Sequence, residues 1–206
     1  MINVIIPPQN FEIVRDRIAT ILSNECTNQG NILNAAVPNS GNYLKSAVVT
    51  VERSNPVDKV DVPTINVSVI NDDFSNKHQG RRDGLVGYAI DLYASAKTTT
   101  SNKGDKIATL RLQKLLGFCS YVLEDPIYKT LDFAAGLIGR TYCQGFQIRP
   151  IGPEDADNQA MARLMFFVLM KEENALLTAP LVTDSKTTMI IENTSQGYFI
   201  DNVIIP

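Results

Sequence analysis

The chain has 206 residues, of which 44% are hydrophobic and 20% charged, with a formal net charge of -3. It is long enough to bury one sizeable core, and this balance excludes a disordered chain and a dedicated nucleic-acid binder. Cys26, Cys119 and Cys143 are odd in number and lack CxxC spacing, so neither a disulfide framework nor a zinc site is expected; they read as small core hydrophobes in a reducing cytosol. The opening MINVIIPPQN has no basic leader before its proline pair, and no later stretch has the apolar length of a membrane span, so neither a secretory signal nor a membrane anchor is expected.

In chain order, Asn10 is placed to cap an amphipathic helix over NFEIVRDRIATILSNEC, with Phe11, Val14, Ile18, Ile21 and Leu22 on one stripe. The following TNQGNILNAAVPNSGNY is rich in Asn, Gly, Ser and Pro and reads as a loop. Three stretches then alternate with period two. SAVVTVE sets Ala47, Val49 and Val51 on one face; TINVSVI sets Ile65, Val67 and Val69 inward with Asn66 and Ser68 outward; VGYAIDLYASA sets Val86, Tyr88, Ile90 and Leu92 against Gly87, Asp91 and Ser95.

DKIATLRLQKLLGFCSYVLE predicts a second helix with Ala108, Leu112, Leu115, Leu116, Cys119, Val122 and Leu123 on its buried side, stopped at Asp125 by Pro126. Lys103, Lys106, Arg111 and Lys114 near its start read as a solvated face, because no aromatic residues interleave with them as they would on a single-strand platform. IGRTYCQGFQIRP then alternates Tyr142, Phe146 and Ile148, with Gly145 a bulge. DNQAMARLMFFVLMKEEN is apolar on two faces, and its Phe-Phe-Val centre favours a doubly buried strand over a buried helix. In the tail, Met189 to Glu192 and Tyr198 to Asp201 flank a turn at NTSQG, and NVIIP at 202–206 repeats residues 3–7; both copies suit pairing with a neighbouring subunit's sheet edge. Segregated helices and strands imply an α+β domain over 1–175, a mostly antiparallel sheet with two principal helices on one face, and a β extension over 176–206.

Chemistry has one candidate segment, VINDDFSNKHQGRRDGLVG, which holds the chain's only histidine. Asp72, Asp73, His78 and Asp83 are the residue types that hold a divalent cation, and a metal-dependent hydrolase on Asp72, Asp73 and His78 is the enzymatic alternative. The spacing matches no cation-binding loop, however, and the chain contains no GxSxG, GxxxxGK or GxGxxG. The plainer reading is a polar connection between strands, with Gly80 and Gly84 as turn residues and Arg81 and Arg82 pairing with the aspartates or a partner's carboxylate or phosphate. GPEDAD at 152–157 reads as a solvated turn. No catalytic, cofactor or metal residue is assigned.

The run FEIVRDRIATIL, TINVSVI into NDDFSNKHQGRRDG, GLVGYAIDLYASAK, DKIATLRLQKLLGFCSYVLEDPIYKTL, IGRTYCQGFQIRP and DNQAMARLMFFVLMKEEN resembles, in pattern and order over residues 10 to 175, the tail terminator or tail-completion proteins of long-tailed bacteriophages. The resemblance implies a non-enzymatic virion subunit, assembled in the host cytoplasm into a hexameric ring that caps the tail tube and joins it to the head connector, with sheath protein a further neighbour. DNA would pass the lumen without sequence-specific binding, and an acidic balance would keep the lumen from gripping it. On this reading Asp72, Asp73, His78, Arg81 and Arg82, with Ile190, Tyr198, Phe199, Val203 and Ile204 in the tail, are interface residues. Another neck, tail or baseplate protein is the alternative within the same class.

Overall fold

The computed structural model describes residues 8–53, 63–78, 81–97, 103–133, 136–149 and 159–173. The elements run α1 (Asn10–Ala36), α2 (Asn42–Lys45), β1 (Val48–Val51), β2 (Thr64–His78), β3 (Arg81–Ser95), α3 (Gly104–Glu124), a 3-10 turn (Pro126–Tyr128), β4 (Ile138–Arg149) and β5 (Gln159–Glu173). The strands form one sheet in the order β1-β2-β3-β5-β4; β1 lies parallel to β2 and every other pair is antiparallel. This is an α+β fold with a mixed sheet.

α1 begins one residue earlier than the sequence suggests. Gln9 occupies the capping position, its backbone N–H donating to Glu12 Oε2 at 2.8 Å, while Asn10 is helical and uses its side chain to donate to the Lys171 carbonyl at 3.0 Å. The helix also runs ten residues past Cys26, through the segment read as a loop. Its continuation is explained by Gly30, which is buried where α1 meets the α2 turn. A Cβ at Gly41 would lie 2.0 Å from the Gly30 carbonyl oxygen, so the two backbones touch and the contact repays the low helix propensity of glycine.

Both long helices cover the same face of the sheet. Val14, Ile18, Ile21 and Leu22 of α1 and Leu112, Leu115, Cys119 and Leu123 of α3 share one core with Ile65, Val67, Tyr88, Ile90, Leu92, Leu164, Phe166 and Val168. Each fully buried aliphatic side chain there contributes about 2 kcal/mol of transfer free energy. Tyr88 is buried to the ring, and its hydroxyl donates to the Phe11 carbonyl at 3.0 Å, joining β3 to the first turn of α1. Arg111, half-buried at the edge of the α3 stripe, donates to the Ser95 carbonyl at 2.8 Å and lies 5.2 Å from the Tyr43 ring centroid. Lys103, Lys106 and Lys114 are exposed.

The ambiguous segment is a strand: β5 pairs with β3 on one side and β4 on the other. One of its faces is fully buried through Ala162, Leu164, Phe166, Val168 and Met170, but the other is only half-covered, and Leu169 is 43% exposed. β5 is therefore central in the sheet but buried on one face, not on two. Gly145 is the expected bulge, at φ 153° beside a register shift against β5. α3 stops at Asp125, whose carboxylate caps the 3-10 turn by accepting from the Ile127 N–H. The 152–157 turn and the 189–201 hairpin lie outside the described residues.

Candidate functional site

The polar segment is no loop over its described residues, Asn71–His78 and Arg81–Asp83; Gly80, assigned to a turn in the sequence, lies outside them. β2 continues through it to His78, and β3 returns from Arg81, with His78 opposite Arg81, Lys77 opposite Arg82 and Asn76 opposite Asp83. Beyond the helix-covered core, these strands and the end of β5, which pairs Arg81 to Asp83 with Glu173 to Lys171, make a three-stranded arm. Two register shifts, after Val69 and after Asp73, twist it. At the first, the Val69 N–H donates to Glu52 Oε1 at 2.9 Å. Gly84 is within β3 and not in a turn, which corrects its sequence assignment; a Cβ there would lie 2.2 Å from the Asp73 carbonyl oxygen and 2.4 Å from Phe74 Cα. Glycine at this place lets β2 and β3 close while Phe74 is buried on the helix side.

The extended backbone separates the residues that a hydrolase would need together. Asp72 pairs with Val86 and Asp73 with Leu85, so the two carboxylates leave opposite faces of the sheet, and both are exposed. His78 follows Asp73 by five residues along the strand, about 16 Å at the usual rise. Among the described residues no three His, Cys, Asp or Glu side chains are grouped to hold a metal ion.

The sheet's second face, opposite the helices, is organised in a way that the sequence alone did not disclose. A single polar row crosses all five strands: Thr50 of β1, Asn66 of β2, Asp91 of β3, Arg163 of β5 and Gln147 of β4 are successive register partners. Asn66 and Asp91, expected to point to solvent, are buried. Asn66 Oδ1 accepts from Thr50 Oγ1 at 3.1 Å and from the Arg53 N–H at 3.0 Å, and its amide nitrogen donates to the Arg53 carbonyl at 3.1 Å. Asp91 receives both arms of Arg163, at 2.7 and 2.8 Å. That doubly bonded carboxylate holds the guanidinium above its ordinary pKa, against the opposing effect of burial.

Beside the polar row lies an aromatic shelf. The Phe167 ring rests over Gly87, where a Cβ would approach it to 3.0 Å. Tyr142 stacks on Phe167 with centroids 5.5 Å apart and planes 17° from parallel, and the Arg140 guanidinium lies 5.2 Å from the Tyr142 centroid. Leu85 and Leu169, paired to each other, continue the apolar surface towards the arm. No helix among the described residues covers this face. The signal for the polar row was present in the sequence only as isolated Asn, Asp and Arg on alternating strands; register, which aligns them, is a tertiary property.

Two of the predicted cysteine positions, Cys26 and Cys119, are buried in the core, and Cys143 is half-buried. Burial raises all three thiols: Cys26 and Cys143 to about 12, and Cys119 well above its ordinary value. These are inert packing groups and not nucleophiles. No described helix is long and apolar enough to cross a membrane.

No protein-family model matches the chain, and no curated protein does. Among solved structures, the chain is similar to one described as the virion of a native gene transfer agent particle, at 12% identity and a TM-score of 0.40, over 73% of this chain and 92% of that chain.

Proposed function

We propose that this chain is a virion structural protein, a tail-terminator-like subunit that works by covering surfaces and not by transforming a bound molecule. The observation that carries this reading is the second sheet face: a half-exposed apolar and aromatic surface, crossed by a polar row whose buried members, Asn66 and Asp91, are hydrogen-bonded, with no described element over it. Contiguous apolar surface of this kind, rimmed by polar groups, is what an obligate neighbour covers. The separation of Asp72, Asp73 and His78 along one strand supports the same reading, since general acid-base or metal chemistry requires convergence on one point.

In detail, the subunit closes with copies of itself into a ring, a hexamer by the resemblance, that caps the tail tube and meets the head connector and, in a contractile particle, the sheath. A ring needs heterologous contacts, in which one surface of a subunit complements a different surface of the next. The arm carrying Asp72, Asp73, His78, Arg81 and Arg82 is one such surface, and the segment carrying Ile190, Tyr198, Phe199, Val203 and Ile204 supplies another. Capping stops tube growth by burying the surface on which the next tube ring would add. The test is addition of the purified chain to polymerising tube protein: tubes bearing a terminal ring and ceasing to lengthen are expected, and unchanged growth without decoration contradicts the proposal. For the hydrolase alternative, the expected result is a melting temperature unmoved by magnesium, manganese or zinc.

A further inference from the structure

The sheet ends in two open strands, β1 on one side and β4 on the other, and among the described residues nothing pairs with the outer side of either. Which backbone groups they offer follows from the pairing. The Val48 and Glu52 N–H groups donate to the Pro63 and Val67 carbonyls, each at 2.9 Å, so Val48, Thr50 and Glu52 bond towards β2 while Val49 and Val51 turn their N–H and C=O groups outward. Alternation then fixes the other edge. Asn66 turns to Asp91, Ile90 and Leu92 turn to Leu164 and Ala162, and Arg163 turns to Gln147, which leaves Phe146 and Ile148 with outward groups at the β4 edge.

The side chains at these two edges match as well. Phe146 and Ile148 pair with the buried Leu164 and Ala162, so they are on the helix side of the sheet, yet they are 57% and 48% exposed. Val49 and Val51 pair with the buried Ile65 and Val67 and are on the same side, with Val51 40% exposed. Between the members of each apolar pair sits an end of the polar row, Gln147 on β4 and Thr50 on β1. β1 runs with β2 and β5, against β3 and β4, so a copy that continues the sheet by rotation brings its β1 to β4 antiparallel.

We infer that β1 of one copy adds to the outer edge of β4 of the next as an antiparallel strand, with Val49 opposite Ile148, Thr50 opposite Gln147 and Val51 opposite Phe146. The inference rests on the ring reading and names the contact that closes it. Val49 with Ile148 and Val51 with Phe146 exchange both their backbone bonds and cover each other's side chains, while the polar row runs on from Gln147 of one copy into Thr50 of the next. No other register does this. A one-residue slip sets a valine opposite Gln147, whose backbone groups already turn to β5, and a two-residue slip keeps only one apolar pair. β1 has four residues against the roughly 20–30 a side of a lasting two-protein contact, so the strand pair needs closure of the ring, in which every subunit makes it twice.

Disulfide trapping tests it on the full chain. Within one subunit β1 and β4 are four strand spacings apart, about 19 Å, so a bond between them forms only across copies. Thr50→Cys and Gln147→Cys together are expected to give a ladder of covalent multimers under mild oxidation, and neither alone to exceed the background of the native cysteines. Val48→Cys with Gln147→Cys, two residues out of register, is expected to link at least tenfold more slowly. Ile148→Pro removes an outward N–H and no bond to β5; it is expected to abolish linking by Thr50→Cys and Gln147→Cys while β3 and β5 amides keep their slow exchange. Equal linking in and out of register, or none, overturns the inference. Rings seen in sedimentation without the in-register link defeat it and leave the proposed function intact; linked multimers that do not stop tube growth do the reverse.

Discussion

Two tyrosines packed against α1 and α3 make opposite use of their hydroxyl groups. Tyr88 donates to the Phe11 carbonyl, so Tyr88→Phe leaves a part-buried acceptor with one partner fewer and is expected to lower stability by about 1 kcal/mol in urea unfolding. The buried Tyr43 hydroxyl has no hydrogen-bond partner among the described residues, and burial pushes its pKa to about 12; Tyr43→Phe is expected to be neutral or slightly stabilising. The Asp91–Arg163 pair is harder to disturb. Asp91→Ala abandons a guanidinium that is largely covered, and is expected to cost about 3 kcal/mol, whereas replacing both residues with apolar ones of similar volume should recover most of that loss. The thiols set the alkaline limit. Cys26, Cys119 and Cys143 all titrate higher when folded than when unfolded, so their contribution is intact below about pH 9 and is lost as pH rises above it, towards about 12 for Cys26 and Cys143. Each adds a slope of about 1.4 kcal/mol per pH unit in that window, and Cys119→Val is expected to remove one such slope from unfolding curves measured between pH 8 and 11.

The elements themselves differ in how much of them could be read in advance. α3 was fully legible, because a four-three spacing of apolar residues and a proline stop are local signals. β5 was legible through its β-branched and aromatic centre. The second half of α1 was not, since Asn-Gly-Asn composition argues against helix and only the Gly30–Gly41 contact, made across eleven residues, outweighs it. The arm was missed for a related reason: polar residues at positions 71–78 suit a loop, and what makes them strand is continuation of the β2–β3 ladder and the support of β5. The glycines that permit these close contacts give a direct check. Gly41→Ala drives a methyl group into the Gly30 backbone, and Gly84→Ala drives one into Asp73 and Phe74; each is expected to lose about 2 kcal/mol or more in thermal or urea unfolding. For Gly84→Ala the loss should concentrate in the arm, with faster amide exchange at residues 72–85 than in α3. Equal destabilisation of arm and helix would contradict the assigned role of Gly84 as the residue that lets β2 and β3 close.

At the scale of the molecule, the helices protect one face of the sheet and the described elements leave the other uncovered. The candidate site reads differently at this scale than in the sequence. The Asp72, Asp73 and His78 grouping, close in sequence, is drawn apart by the strand rise, while Thr50, Asn66, Asp91, Arg163 and Gln147, scattered over a hundred residues, are brought into one line by register. Proximity in sequence offered a catalytic cluster only as the alternative to a polar connection, and the fold removes the convergence that alternative needs. The claim on which the account depends is that the uncovered face is buried by copies of the same chain. Sedimentation velocity of the purified protein over a range of concentrations measures that directly. The account predicts a closed ring as a discrete species, weakened by Phe167→Glu on the second face and unaffected by added divalent metal. A compact monomer at every concentration, indifferent to that substitution, would contradict it.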